Sequence, residues 1–421
     1  MTQETREVIT FNNGARLVLD PMPGYLTASA GVCVGAGARD ESEAENGLAH
    51  FLEHMAFKSA AGVAGPDLIT SVEDKGGEIN ASTGYERTFY SVRCMGEDVA
   101  QLLRVASNVA LASDLPEEDF RLEKDVVYQE INEAADLPED LVFELAQKAA
   151  WPDHALGRSI LGTKSTLEPL GREHLKRFIA QNYTPDRTIM TVAGGFDRQQ
   201  VVDLAEQVLG VMVDVKPPVR TSPTHASAAL TKIVDTDQAH LVLSAPAPDG
   251  AASDRFAARL FEEIFGGGMA SRLYREVREK RGLAYTIDAE FDSYDDTGRL
   301  NVYCGCNPGE ADDVQRIVRD IWSDLASKGP TLEELARAKA VKSVQFALAS
   351  ESVAARASSS AYELLTFGRL LSVEDVMQSI DDVTIEDVSK MALTALNGPR
   401  AGAYVGPKSG ADAASNFIST R

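Results

Sequence analysis

The sequence predicts an α+β protein made of two similar modules, each a mixed or antiparallel sheet covered by helices. Three observations support this prediction: strand-like alternation followed by long helical segments in each half, a Pro-rich stretch near the middle, and a weak internal repeat. The 421 residues are 44% hydrophobic and 25% charged, which excludes a disordered, collagen-like or small disulfide-bonded chain. A chain of this length can form about two to four domains.

The predicted elements of the first half follow from local patterns. Apolar alternation over residues 8–19, with Asn-Asn-Gly in the middle, indicates a β-hairpin. The helical segment over residues 117–134 is preceded by Leu-Pro and opens with Glu-Glu, as helix starts often do. The remaining segments, in order, are a strand of small residues (29–35), a helix from Gly47, a strand or hairpin (80–94) and a helix (99–113).

The internal repeat divides the chain near its centre. Residues 213–226, VDVKPPVRTSPTHA, lack apolar periodicity and are predicted to link an N-terminal module (1–212) to a C-terminal module (227–421). The sequence SVRCMGEDVAQLLRVA around Cys94 is similar to NVYCGCNPGEADDVQRIV around Cys304. A second pair of similar segments ends at Lys124 and Lys339, with a nearly equal offset. The sequence therefore predicts two duplicated α/β-roll modules.

Charge and composition limit the partners and the compartment. The chain has 41 basic and 64 acidic residues, and a net charge of −23 opposes binding to nucleic acid or to anionic lipid. Four cysteines are too few for a disulfide framework and fit a reducing compartment. The N-terminus lacks the basic and apolar regions of a secretory signal, and no apolar run approaches the ~20 residues that span a bilayer. We therefore expect a cytoplasmic protein without a membrane segment.

The segment GLAHFLEHMAFK carries the strongest chemical signal. It places His50, Glu53 and His54 in one predicted helix, where the two imidazoles are one turn and about 40° apart. Both can then reach one metal ion, and Glu53 lies close enough to act as a base on a water held there. The alternative is a pair of histidines on a partly buried helix with a solvent-facing glutamate. The order H-x-x-E-H, the inverted zincin signature, favours the zinc site.

A site with two histidines needs a third protein ligand. The predicted helix after Pro116 carries Glu123 and Glu130, which are two turns apart on one face. A glutamate on an acidic helix is usually only solvated, so its spacing alone does not assign a role to either residue. The motif followed by these glutamates resembles the M16 metallopeptidase family, in particular the subgroup of mitochondrial processing peptidase and its bacterial relatives. The resemblance implies that Glu130 is the third zinc ligand and that Glu123 orients a histidine.

Two further segments extend this resemblance over most of the chain. The stretch GGEINAST is similar to the family's edge strand beside the metal, which implies that Asn80 and Ala81 pair with an extended substrate. The stretch GGGMASRLYREVREKRGLAYTI is similar to a block with an Arg/Tyr pair, here Arg278 and Tyr285. By resemblance, this pair donates hydrogen bonds to the developing oxyanion and to substrate carbonyls. Without the resemblance, these stretches would be an ordinary strand and a basic amphipathic helix.

The resemblance also implies an architecture and an activity. Four such modules form a hollow clamshell in this family, so the two modules of this chain imply a dimer. In dimeric relatives the Arg/Tyr pair reaches the zinc of the other subunit, and for Arg278 and Tyr285 both this arrangement and a site within one chain stay open. We expect a zinc endopeptidase that hydrolyses unstructured peptides in a closed chamber. A homodimer is favoured, and a heterodimer with a related M16 chain stays open. The alternatives are a non-catalytic scaffold subunit and a catalytic subunit that needs a different, metal-less partner chain.

Overall fold

The computed structural model describes residues 6–419, which divide by their packing into two compact units. The first unit contains the described residues up to Ile131, Ser159–Arg220 and Leu348–Leu371. The second unit contains Asn132–Arg158, Thr221–Ala347 and the described residues from Ser372 onwards. Each unit is built on one main β-sheet.

The first unit contains a mixed sheet with the spatial order β1-β2-β8-β3-β7-β6. The strands of this unit within residues 6–419 are β1 (Glu7–Thr10), β2 (Arg16–Pro21), β3 (Thr27–Val34), β4 (Ser59–Ala60), β5 (Val63–Ala64), β6 (Glu78–Thr83), β7 (Thr88–Met95) and β8 (Thr188–Gly194). β4 and β5 form a separate short ribbon. The pairs β1/β2 and β6/β7 are antiparallel, which confirms the hairpin predicted over residues 8–19 and the strands predicted over residues 80–94.

The second unit contains a mixed sheet with the spatial order β11-β12-β10-β13-β9. Its strands within the described residues are β9 (Ala229–Ile233), β10 (Ala239–Ala247), β11 (Ala284–Ser293), β12 (Gly298–Cys306) and β13 (Ala401–Gly406). β9 and β13 run parallel, and the other neighbouring pairs are antiparallel. The α+β class predicted from the sequence is therefore confirmed.

Helices cover these sheets. In chain order they are α1 (Leu48–Ala56), α2 (Gly65–Glu73), α3 (Val99–Leu111), α4 (Phe120–Asp136), α5 (Pro138–Ala150), α6 (Lys164–Leu167), α7 (Arg172–Asn182), α8 (Arg198–Val208), α9 (Arg255–Phe265), α10 (Ala311–Lys328), α11 (Leu332–Ser350), α12 (Val353–Phe367), α13 (Val373–Asp382), α14 (Ile385–Asn397) and α15 (Ala413–Ser419). A π-helical segment spans Tyr274–Lys280. Within residues 6–419, no helix has both the length and the apolar character needed to cross a bilayer.

The same strand order occurs in both units, as the internal repeat predicts. Starting from the edge formed by β6 or β11, the order β6-β7-β3-β8-β2 corresponds to β11-β12-β10-β13-β9. In both sheets the fourth and fifth strands of this series are parallel. The long helices α3 and α4 follow β7 as α10 and α11 follow β12. The second sheet therefore repeats the topology of the first.

Each unit also includes a helix from the part of the sequence that mainly forms the other unit. α12 packs on β2, β3 and β8 of the first sheet, and α5 packs on β9, β10 and β13 of the second. The strands β3 and β8 are buried along nearly their whole length, so both faces of the first sheet need a covering layer. The contiguous modules predicted from the sequence, 1–212 and 227–421, omit this exchange. Residues 213–226 form neither helix nor strand, and within this segment the chain passes from the first unit to the second after Arg220.

Candidate metal centre

Helix α1 turns its apolar side to the core and leaves its polar residues on the other side. Its buried residues are Leu48, Ala49, Phe51, Leu52, Met55 and Ala56. His50, Glu53 and His54 occupy the remaining positions and are partly exposed. The helix begins after Gly47, whose φ of 94° is favourable only for glycine, and a Cβ there would lie 2.7 Å from the carbonyl oxygen of Leu161.

A buried carboxylate fixes the start of α1. The carboxylate of Glu41 accepts hydrogen bonds from the backbone N–H groups of Gly47, at 2.9 Å, and Ala49, at 2.7 Å. A negative group at a helix N-terminus satisfies free N–H donors and interacts favourably with the helix dipole. The first turn of α1, which carries His50, is therefore held in one orientation.

The two histidines converge with Glu130 of α4. Glu130 Oε2 lies 3.7 Å from His50 Nε2 and 3.4 Å from His54 Nε2. The three ligand atoms all lie within 4.8 Å of one another, and within the described residues they form the one group of this kind. Helix α4 is oriented by the packing of Phe120 edge-on against Phe51 of α1, with ring centroids 5.6 Å apart. The structure therefore brings together the three residues predicted as ligands.

These three residues fit a zinc ion. Tetrahedral zinc with nitrogen and oxygen ligands at about 2.0–2.2 Å separates its ligand atoms by about 3.4 Å, close to the observed distances. Burial, and secondarily the neighbouring His54, lower the pKa of His50 to about 4, so its imidazole is neutral at neutral pH, as a ligand must be. Imidazole nitrogens and a carboxylate oxygen that face one another are stabilised by a cation among them.

Glu123 contacts the opposite nitrogen of His54. Its Oε2 lies 3.3 Å from His54 Nδ1, and its Oε1 lies 2.5 Å from Nζ of Lys58. Because a carboxylate only accepts hydrogen bonds, Nδ1 donates to Glu123, which leaves Nε2, on the side of Glu130, as the nitrogen that can bind a metal. This is the contact required for the orienting role that the resemblance implies for Glu123.

Glu53 is held from the first sheet. The hydroxyl of Thr83, the last residue of β6, donates a hydrogen bond to Glu53 Oε2. Glu53 lies on the same helix as both histidines, and Thr83 leaves Oε1 of its carboxylate available to other partners. A carboxylate beside a metal site can serve as a general base.

Asn80 and Ala81 lie on β6, at the edge of the first sheet. β6 pairs with β7 on one side, and the side-chain Oδ1 of Asn80 accepts a hydrogen bond of 2.8 Å from the backbone N–H of Ala81. An added strand would pair with the backbone groups on this edge. Asn80 therefore occupies a donor that such a strand would use, and its side chain must turn away when the strand pairs there.

Arg278 and Tyr285 belong to the second unit, whereas the three candidate metal ligands belong to the first. Arg278 lies in the π-helical segment, with its guanidinium 5.0 Å from the centre of the Tyr274 ring. Tyr285 is 59% exposed. The register of β11 against β12 shifts between Ala284 and Thr286, so Tyr285 is the extra residue of a β-bulge. Both irregularities are common at functional sites.

Three residues that support this centre were missed by sequence reasoning. Glu41 lies in an irregular segment with no signal that assigns it a partner. Lys58 follows His54 by four residues within the motif itself, so helical spacing could have placed it near the same face. Thr83 shares the alternation of Ile79 and Ala81 and could have been predicted on the same face of β6.

Two family models match the chain. The model described as "Insulinase (Peptidase family M16)" matches residues 17–164, which include the three candidate ligands and Glu53. The model described as "Peptidase M16 inactive domain" matches residues 169–342, which include Arg278 and Tyr285. The two models therefore divide the candidate residues as the two units do.

Curated relatives and solved structures match nearly the whole chain. An "uncharacterized zinc protease" from Mycobacterium leprae is 33% identical, covering 94% of this chain and 91% of the relative. Another from Bacillus subtilis is 30% identical, covering 91% and 94%. The crystal structure of a protease from Helicobacter pylori has a TM-score of 0.89 at 21% identity, covering 96% of this chain and 99% of the other, and shares its fold. The 33% identity along nearly its full length shows that the chain belongs to peptidase family M16.

Proposed function

We propose that this protein is a zinc-dependent endopeptidase that hydrolyses unstructured peptides. The observation that carries the proposal is the convergence of His50, His54 and Glu130 on one side of the helix that also holds Glu53. The relatives named as zinc proteases support it.

The proposed hydrolysis uses a zinc ion and residues of the first unit. A zinc ion, when bound, supplies the Lewis acidity that lowers the pKa of water and polarises a substrate carbonyl. His50, His54 and Glu130 would hold the ion. Glu53 takes the proton of the attacking water and later delivers a proton to the leaving amine. Thr83 keeps the Glu53 carboxylate in one orientation during both transfers.

The substrate is bound through its backbone. An extended peptide adds to the edge of the first sheet at Asn80 and Ala81, so that recognition depends on chain conformation. A folded protein has few extended segments with free backbone groups and is a poor substrate. Arg278 and Tyr285 are donors suited to the oxyanion and to neighbouring carbonyls. In our proposal they are supplied by a second copy of the chain, and the two copies enclose the peptide.

The direct test uses the chain purified alone. We expect one zinc per chain, the mass of a homodimer, and hydrolysis of an unstructured fluorogenic peptide that stops with a chelator and returns with zinc. A chain without zinc and without hydrolysis would be a scaffold subunit. A chain that binds zinc but cleaves only after a second M16 chain is added would be a catalytic subunit of a heterodimer.

Complementation tests the shared site. Chains with His54→Ala lack a ligand, and chains with Tyr285→Phe lack a donor, so each is expected to be inactive alone. Mixing them should restore measurable hydrolysis in mixed dimers, one site of which has both groups intact. No recovery, with mixed dimers demonstrated by mass, would contradict a site completed by the second copy.

A further inference from the structure

We propose that Lys58 is a positioning residue for His54, acting through Glu123, and that it raises the affinity of the site for zinc. The inference rests on the proposed function, because it requires zinc at His50, His54 and Glu130. It assigns a role to a lysine that is not one of the three candidate ligands.

A continuous chain of contacts leads from Lys58 to the metal ligand. Lys58 Nζ lies 2.5 Å from Glu123 Oε1, and Glu123 Oε2 lies 3.3 Å from His54 Nδ1. The Glu123 side chain is 6% exposed and that of Lys58 is 32% exposed. Each carboxylate oxygen of Glu123 therefore has its own partner, and the ammonium group retains contact with water.

The backbone of Lys58 is fixed between α1 and α2. Its N–H donates to the carbonyl oxygen of Met55 at 3.2 Å, and its carbonyl oxygen accepts from the N–H of Gly65 at 2.7 Å. A Cβ at residue 65 would lie 2.2 Å from the carbonyl oxygen of Phe57, so only glycine allows this approach. The side chain of Lys58 therefore starts from a rigid position.

The buried carboxylate needs the ammonium group. A carboxylate removed from water is costly unless it is paired and hydrogen-bonded. Without Lys58, Glu123 would keep only its contact with the His54 imidazole. Turning its carboxylate oxygens toward water would then lower the free energy of the protein. His54 would then lose the partner that directs its Nε2 toward Glu130. Lys58 thus maintains the ring orientation of His54 through Glu123.

The two histidines differ in this respect. His54 has Glu123 at its Nδ1, whereas Nδ1 of His50 is buried and, within the described residues, has no hydrogen-bond partner. Metal-bound histidines usually donate their second N–H to a carboxylate or carbonyl group. Of the two histidines, only His54 is therefore oriented by a hydrogen bond at Nδ1 within the described residues, and the Lys58–Glu123 pair provides it.

The direction of the change in zinc affinity distinguishes a positioning role of Lys58 from electrostatic repulsion between Lys58 and the zinc ion. A lysine near a divalent cation repels it, so loss of the charge alone would tighten zinc binding. Loss of the positioning contact weakens binding instead. Outer partners of metal ligands typically contribute about 10- to 100-fold in affinity, more than a partly screened repulsion. The net expectation is weaker binding.

The test measures zinc dissociation constants by competition with a chromogenic chelator. Lys58→Met keeps the stem and removes the charge, and we expect about tenfold weaker zinc binding. Lys58→Arg keeps a cation for Glu123 and should restore most of the affinity. The control is Lys75→Met, which removes the same charge from an exposed pair with Asp98 in the same unit and should leave affinity unchanged.

A double-mutant cycle tests the route through Glu123. Glu123→Gln should itself weaken binding, and adding Lys58→Met to it should have little further effect. The melting temperature of each metal-free variant checks folding, and Lys58→Gln replaces Lys58→Met if the latter does not fold. Unchanged or tighter zinc binding in Lys58→Met would overturn the proposal. So would an equal loss in the Glu123→Gln background.

The wild-type protein separates this proposal from the proposed function. A wild type that binds no zinc would refute both. A wild type that binds zinc and hydrolyses peptide, together with a Lys58→Met variant of equal affinity, would refute only the role of Lys58.

Discussion

Helices α1 and α9 occupy equivalent places in the two units. Each is the first α-helix after the third strand of the shared order, which is β3 in the first sheet and β10 in the second. Both carry three polar residues at positions i, i+3 and i+4. In α1 these are the histidines and glutamate of the metal motif, and in α9 they are Arg259, Glu262 and Glu263. The same frame therefore presents two different sets of groups.

The two glutamates of α9 have a cation beside them. Lys342 of α11, the counterpart of α4, lies 3.3 Å from a Glu262 oxygen and 3.2 Å from a Glu263 oxygen. Burial raises the pKa of Glu262, and the nearby Lys342 opposes that rise. The second cluster thus contains its own cation, whereas the first consists of acceptors that face one another. The two equivalent helices therefore differ in what faces their polar residues: Lys342 pairs with both glutamates of α9, whereas the carboxylate of Glu130 faces the two histidines of α1.

The largest expected effect separates the two equivalent glutamates. Glu53→Gln should lower kcat for peptide hydrolysis by about 10³-fold, because it removes the general base, while zinc content stays at the wild-type level. Glu262→Gln, the matched change in α9, should retain wild-type kcat. Hydrolysis and zinc are measured on the same samples. Equal losses in both variants would contradict the distinction between the two helices.

Lys342→Met should destabilise the fold without affecting the metal. Two largely buried carboxylates would lose their shared cation, and removing one partner of a buried ion pair costs about 3 kcal/mol. The measurement is urea unfolding, followed by zinc analysis of the folded variant. Lys328→Met, which removes an exposed partner of Asp324, is the control and should cost no more than about 0.5 kcal/mol. Loss of zinc in Lys342→Met would show that the clusters are not independent.

The smallest expected effect is a change in stability at Asp288, on the edge strand β11. Burial, and then the neighbouring Glu290, raise the pKa of Asp288 to about 6. A carboxyl group whose folded pKa lies above its unfolded value destabilises the fold at higher pH, and this cost disappears as pH falls from about 6 to 4. Asp288→Asn should therefore be more stable than wild type at pH 7.5 by about 1 kcal/mol, after allowance for solvent screening, and nearly equal at pH 4.

The counterpart on the first edge is the control. Asp288 faces Tyr303, one residue before Cys304, and Glu78 faces Arg93, one residue before Cys94. Glu78 forms an exposed ion pair with Arg93, so Glu78→Gln should change stability by no more than about 0.5 kcal/mol at either pH. Thermal unfolding at the two pH values gives all four comparisons. A pH-independent gain in Asp288→Asn would refute the assignment of the effect to this carboxyl group.

Much of the fold could be predicted because its signals are local. Alternation around Asn-Asn-Gly identifies the β1/β2 hairpin, and periodicity identifies α1 and α4. The exchange of α5 and α12 could not be predicted, because an amphipathic pattern marks an apolar face but not the sheet that it covers. The bulge at Tyr285 could not be predicted either, because it depends on the pairing of β11 with β12, and no sequence pattern marks the π-helical segment.

The candidate site divides in the same way. His50, Glu53 and His54 lie in one helical turn, so their spacing is readable in the sequence. Glu130 was assigned only through the resemblance, because no local pattern distinguishes it from other glutamates on an acidic helix. The contacts of Lys58 and Thr83 form only when β6 and α4 pack beside α1.

The most direct test of the central claim is anomalous X-ray diffraction at the zinc edge from crystals of metal-replete protein. We expect one strong peak per chain, bound by Nε2 of His50, Nε2 of His54 and a carboxylate oxygen of Glu130, with no peak beside Glu262 and Glu263. Zinc that is absent from the first cluster, or bound there without Glu130, would contradict the proposal.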